Sequence, residues 1–176
     1  MAWCHLKDPD ASIDLGGNTA MHGKPSADRG WIISIPDPSN TATPLTILES
    51  SSSATSRNGD GTGEEASHGT DTRAARMPAD VSAVTSGIYE RLFTVVGAAY
   101  HHILDPHDGY PARTDLTSAT VIARKSTDAE GYSTTLLALG AERTERFAAI
   151  HPEILVILST ARSAKSKRSL SFRIKS

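Results

Sequence analysis

Between Ser50 and Ala79 the chain consists largely of Ser, Gly, Thr, Asp and Ala, with hardly any large apolar side chain. Such a segment cannot recover by burial the entropy it loses on ordering. The composition predicts a disordered loop or insertion there. It also divides the chain, because any core must then be assembled from residues on either side. The expected organisation is a set of strands within 1–49, the Ser/Gly-rich stretch at 50–79, a core over 80–158 and a basic tail over 159–176.

A chain of 176 residues is one domain, with or without irregular segments. At that size it can bury roughly 70% of its unfolded surface. The hydrophobic fraction of 38% is low for a globular protein. The deficit lies mainly in the 50–79 stretch. The net charge of −2 creates no global field for nucleic acid or a membrane surface. Cys4 is the single cysteine, so no internal disulfide forms, and one thiol does not build a zinc site. No apolar run approaches the ~20 residues of a membrane span. Met1–Lys7 has neither a basic region nor an apolar region of a secretory signal.

Short strands separated by turn residues account for most of the remainder. Ile13-Asp14-Leu15 runs into the glycine turn Gly16-Gly17-Asn18. Trp31–Ile35 reads as a strand stopped by Pro36-Asp37-Pro38, and Leu45–Leu48 as another. Val81–Val84 leads into a Thr85-Ser86-Gly87 turn. Tyr89–Val95 and Ala99–Leu104 read as the arms of a hairpin turning at Val96-Gly97-Ala98. Ser118–Ala123 has the clearest β-branched run. Ser126–Gly140 reads as a helix capped by Ser126 or Thr127, buried through Leu136, Leu137 and Leu139. A second helix covers about Ala141–Ile150, stopped before Pro152, and Ile154–Leu158 is a buried strand. Strands and helices without a strict alternation predict an α+β fold, a mixed sheet with packed helices. The residues after Ser159 include Arg162, Lys165, Lys167, Arg168, Arg173 and Lys175. Without aromatic residues in a stacking pattern they read as a solvated terminus.

The chemistry concentrates between Thr85 and Pro111. Arg91, His101, His102, Asp105 and Asp108 crowd around the turn signals Asp105-Pro106 and Asp108-Gly109. His101 and His102 point to opposite faces if the strand alternates, so only one faces a ligand. That residue is either a proton-transfer or metal-ligating group or a structural histidine. Asp105 before a proline often only organises a turn. Glu130, Ser133 and Thr134, at i, i+3 and i+4, share a helix face. One carboxylate and two hydroxyls are hard oxygen donors suited to Mg2+, or else the solvated polar face of a first turn. Gly16 and Gly17 permit either close approach to a phosphate or ring, or an ordinary turn. No dinucleotide-binding glycine fingerprint, phosphate-binding loop or nucleophile elbow is present.

Several segments, in order, resemble the ApbE family of flavin transferases. They are Asp14-Leu15-Gly16-Gly17-Asn18; Trp31 to Pro38; Thr85-Ser86-Gly87-Ile88-Tyr89-Glu90-Arg91; His102-Ile103-Leu104-Asp105-Pro106-His107-Asp108-Gly109-Tyr110-Pro111; Ser118 to Ala123; and Ala129-Glu130-Gly131-Tyr132-Ser133-Thr134. The resemblance covers most of residues 11–158 and implies that the N-terminal part of the family fold is missing. It implies transfer of FMN from FAD to a Thr or Ser of a target flavoprotein, with Mg2+ and release of AMP. On that resemblance His102 and Arg91 would be catalytic. Leu104, Asp105, Thr85, Ser86, Tyr89, Gly16 and Gly17 would contact FAD. Glu130, where the family has aspartate, would bind the metal with Ser133 and Thr134. A flavin- or metal-binding remnant without catalysis, or one half of a split enzyme, is the alternative. Family members are often exported and membrane-anchored; with no signal segment this chain as written would be cytoplasmic.

Overall fold

A computed structural model describes residues 10–26, 29–50, 75–77 and 80–160. Its centre is a five-stranded antiparallel sheet. The strands are β1 (Ala11–Asp14), β2 (Asn18–His22), β6 (Val81–Gly87), β9 (Leu116–Ala123) and β10 (Leu155–Thr160), in that spatial order. One face carries α1 (Ser126–Leu139) and α2 (Ala141–Ile150). The other faces a second sheet of β3 (Ile32–Asp37), β4 (Asn40–Ser50) and β5 (Ala75–Met77), in which β5 runs parallel to β4. A separate hairpin of β7 (Leu92–Val95) and β8 (Ala98–His101) completes the described elements. This is the expected α+β fold, with mixed sheets and two described helices.

Strand alternation feeds two cores from one sheet. Ala119, Val121 and Ala123 of β9 face the helices with Val84, Val156 and Leu158. Ile122, between them in sequence, faces β3 with Ala83, Leu155 and Ile157. Coverage on both faces explains why β9 and β10 read as nearly continuous apolar runs, a pattern more usual in parallel sheets. On the helix side Ala129, Leu136 and Leu137 fill the core; Leu139 is only partly buried.

Several boundaries differ from the sequence expectation. β3 does not stop at Pro36. It continues to Asp37 through a register shift, where the missing proline N–H is tolerated. Thr85-Ser86-Gly87 is not a turn but the end of β6, paired with Thr120, Ala119 and Ser118. Tyr89, Glu90 and Arg91 precede β7 as a turn instead of belonging to the strand, and β8 ends at His101, before His102. Ser50 closes β4, its hydroxyl accepting the Trp31 N–H at 2.7 Å, and Ala75–Met77 pairs with that same strand. The 50–79 stretch is therefore ordered at these two places; 51–74 and 78–79 lie outside the described residues. So do Cys4 and the basic residues from Arg162 onward.

The helix start also differs. Lys125 occupies the cap position of α1 without a side-chain hydrogen bond, and the Ser126 hydroxyl instead donates to Asn18 Oδ1 at 2.8 Å. Gly140 ends α1 and starts α2 at φ +81°, with Asp115 Oδ1 accepting the Ala141 N–H at 2.9 Å. That carboxylate supplies the acceptor that Gly140 itself lacks at the start of α2. Among the described residues no helix is long and apolar enough to cross a membrane.

Candidate active site

The glycine turn sets the first wall of the site. Gly16 and Gly17 have φ of +68° and +88°, conformations that cost a side chain energy. The Asp14 carboxylate fixes the turn, accepting from the Gly16 N–H at 2.9 Å and the Thr19 hydroxyl at 3.1 Å. Gly17 lies against β6: its carbonyl accepts the Thr85 N–H at 2.8 Å, and an added Cβ would stand 3.3 Å from Thr85 O. The turn thereby delivers Asn18 to the first turn of α1. The Asn18 side chain donates to Glu130 Oε2 at 2.9 Å while accepting from Ser126.

The end of β6 supplies the second wall. Ser86 Oγ is hydrogen-bonded to Ser133 Oγ at 2.9 Å and to Thr134 Oγ1 at 3.0 Å. Ser133 is fully buried and its hydroxyl also donates to the Glu130 carbonyl at 3.1 Å. Thr85 Oγ1 meets Thr120 Oγ1 at 2.8 Å on the other face of the strand. A seam of hydroxyls thus joins sheet to helix, with the exposed Glu130 carboxylate at its edge. Ser86, Glu130, Ser133 and Thr134 are expected from sequence; Asn18, which ties Glu130 to the glycine turn, is not. Nothing in spacing or periodicity links Asn18 to Glu130, which stands 112 positions away.

Thr134 also belongs to a cleft of about 390 Å3 on the far side of the seam. His102, Leu104 and Asp105 line it from the loop after β8; Ala138, Leu139 and Arg143 line it from the helices. The loop is self-supporting. Leu104 bridges to Pro111, Asp105 N–H donates to the Tyr110 carbonyl at 2.8 Å, and Gly109 N–H donates to the Asp105 carbonyl at 2.8 Å. Asp105 Oδ1 accepts the His107 N–H at 2.9 Å, and Asp108 Oδ1 the Tyr110 N–H at 2.9 Å. Asp105 therefore organises the turn while its residue lines the cleft. The two histidines differ although only the first is in the strand: His101, the last residue of β8, is buried, and His102, in the loop that follows, is exposed on the cleft wall.

Gly17, Thr85 and Tyr89 line a smaller cavity of about 220 Å3 against β3. Burial there, and then the neighbouring Glu90 carboxylate, push the Tyr89 hydroxyl above its ordinary pKa. Gly16 lines neither cavity. Arg91 is exposed and also lines neither, so it is not brought to His102 by a shared wall. Among the described residues no three His, Cys, Asp or Glu side chains converge as a metal cluster.

The ApbE family model matches residues 5–158. The chain belongs to the ApbE family. An FAD:protein FMN transferase of Treponema pallidum is 46% identical over 79 residues, 44% of this chain and 22% of that protein. One of Haemophilus influenzae is 26% identical over 162 residues, 92% of this chain and 39% of its own length. The crystal structure of an ApbE protein from Thermotoga maritima superposes with a TM-score of 0.64 at 24% identity, covering 90% of this chain and 42% of that one. The chain thus spans about two fifths or less of these ApbE proteins.

Proposed function

We propose that this ApbE-family chain transfers FMN from FAD to a Thr or Ser hydroxyl of a target flavoprotein, releasing AMP. The observation that carries the reading is the meeting of the Ser86–Ser133–Thr134 hydroxyls with Glu130 on one side and the His102 cleft on the other. In the proposed step the acceptor oxygen bonds to the FMN phosphorus and the bond to the AMP phosphate breaks. The electron pair leaves with AMP. His102, exposed on the cleft wall, takes the acceptor proton. Leu104, half exposed beside it, offers apolar surface to a nucleotide ring. Gly16 and Gly17 hold the turn that brings Asn18 to Glu130, and Tyr89 closes the smaller cavity.

The oxygen donors present suit Mg2+. Glu130 and Thr134 would hold it, with substrate phosphates completing the shell. Ser133, enclosed between Ser86 and the Glu130 carbonyl, would orient these donors from beneath. When bound, Mg2+ supplies neutralisation of the diphosphate charge. Arg91 has no part in this reading.

The test is AMP release from FAD, with Mg2+ and a peptide carrying an acceptor Ser or Thr, by the purified chain. AMP release with covalent FMN on the peptide is expected, falling about 10²-fold or more in His102→Ala. FAD binding without AMP release would replace transfer by flavin binding alone. Undiminished transfer by His102→Ala would remove that residue from the chemistry.

A further inference from the structure

Arg143 lies outside every motif that points to the site, yet it lines the same cleft as His102 and Thr134. It is the third residue of α2 and is exposed. Its helix neighbour Arg146 is paired with Glu142. Among the described residues Arg143 itself has no carboxylate partner. The one carboxylate on the cleft wall, Asp105, already accepts the His107 N–H. His102 and His107 are the other titratable groups on the wall. The remainder is mostly apolar, with Ile103, Ala112, Ala138 and Leu139 contributing surface suited to a flat heterocycle.

From Thr134 to Leu139 the α1 side of the cleft rises about 7.5 Å, at 1.5 Å per residue. The Arg143 guanidinium and the Thr134 hydroxyl of the seam thus line one mostly apolar cleft. Guanidinium groups bind phosphate oxygens through a planar fork of donors, and a low-polarity wall strengthens that contact. We infer that Arg143 binds a phosphate group of the nucleotide in this cleft and makes the cleft select nucleotides over the corresponding nucleosides. The inference rests on the flavin-nucleotide reading and adds to it a residue and a discrimination. The phosphate belongs either to the AMP half or to the FMN half of FAD; the chemistry is the same.

Calorimetric titration with AMP, adenosine, FMN, riboflavin and FAD separates the cases, using the full chain and its Arg143→Gln and Arg143→Lys variants. Arg143 is exposed, so both variants should keep the fold. Arg143→Gln should weaken AMP or FMN binding by about 10- to 100-fold, the value of a charge-assisted hydrogen bond. Binding of the matching nucleoside should not change. Arg143→Lys should restore part of the loss, because it keeps the charge without the fork. The affected pair, AMP with adenosine or FMN with riboflavin, identifies which half sits in the cleft. Equal losses for nucleotide and nucleoside, or no loss, would overturn the assignment while leaving the flavin reading intact. Failure of the unmodified chain to bind FAD, AMP or FMN would overturn both.

Discussion

β6 and β9 pair antiparallel, and so do β7 and β8, yet the two pairs owe their order to different things. β6–β9 is covered on both faces: Val84 and Val121 pack under α1, and Ala83 and Ile122 pack under β3. β7–β8 is largely uncovered; of its residues only His101, at the end of β8, is buried. Every β7 residue is exposed, and its chief side-chain contact is the stack of Phe93 on Tyr100, centroids 5.5 Å apart. The first pair is held by tertiary burial. The second depends on its two-residue turn and cross-strand contacts, which alone make a marginal unit. The candidate site lies where these regimes meet. Ser86 lies one residue before the end of β6 in the buried pair, whereas His102 follows directly after the exposed one.

The largest effect that tests this contrast is Leu136→Ala against Val95→Ala. Leu136 is fully buried in the helix-side core, and its truncation should cost about 2–5 kcal/mol. Val95 is 49% exposed, and its truncation should stay within about 0.5 kcal/mol. Urea unfolding of both variants checks it. Comparable losses would mean that the hairpin carries stability these contacts do not account for.

The same contrast explains what the sequence made legible. The inner strands could be read because burial on both faces leaves them near-continuous apolar or β-branched runs, and the helices because start and stop residues bracket their apolar positions. Ser118–Ala123 and Ile154–Leu158 were recognisable for this reason. The hairpin was legible through Val96-Gly97, but its arms were not, because no buried face fixes where they end. Thr85-Ser86-Gly87 reads as a turn in sequence because its small polar residues conceal strand pairing with β9. Glu130, Ser133 and Thr134 were found by helical spacing. Their tie to Ser86 and Asn18 could not be, because it depends on how sheet and helix dock.

The next effect falls at the junction. Ser86→Ala removes contacts to both Ser133 and Thr134. It should cost about 1 kcal/mol in stability. Loss of a group that orients the site should lower FMN transfer by about 10- to 100-fold. Steady-state assays alongside urea unfolding separate the two. A stability loss with undiminished transfer would make the seam a structural seal between sheet and helix, independent of the chemistry.

A smaller effect, of opposite sign, belongs to the hairpin. Val96 sits at φ +49° in the turn, fully exposed, and a β-branched residue is strained there. Gly97 at φ +78° completes a turn in which Asn-Gly is the favoured pair. Val96→Asn should therefore stabilise the hairpin by about 0.5–1 kcal/mol. If the hairpin opens separately from the core, the gain appears as slower amide exchange in β7 and β8 with little change in the global melt. A global shift of the full amount would show instead that the hairpin unfolds together with the central sheet.

The smallest effect is a pH dependence at the end of α2, and its sign follows from one hydrogen bond. His151 Nδ1 lies 2.7 Å from Glu153 Oε1, and the imidazole stacks on Phe147 with centroids 4.0 Å apart. The hydrogen bond from His151 holds the Glu153 carboxyl below the usual glutamate value, with help from its own backbone N–H. A carboxyl depressed by folding stabilises the native state above its unfolded pKa and loses that contribution as pH falls through the folded one. The window therefore opens near the ordinary glutamate value of 4.5 and extends below it. Glu153 is solvent-exposed and His151 only partly buried, so the contribution is small and weakens with salt. Melting curves from pH 6 to pH 3 should show a steeper fall in Tm for the unmodified chain than for Glu153→Gln. The difference should be confined to the acid end and be reduced by added salt. Parallel curves would show that the His151–Glu153 contact leaves the acid stability of this chain unchanged, and that the ring contacts with Phe147 and Tyr132 and the backbone bond to Ala148 hold His151 at the helix end.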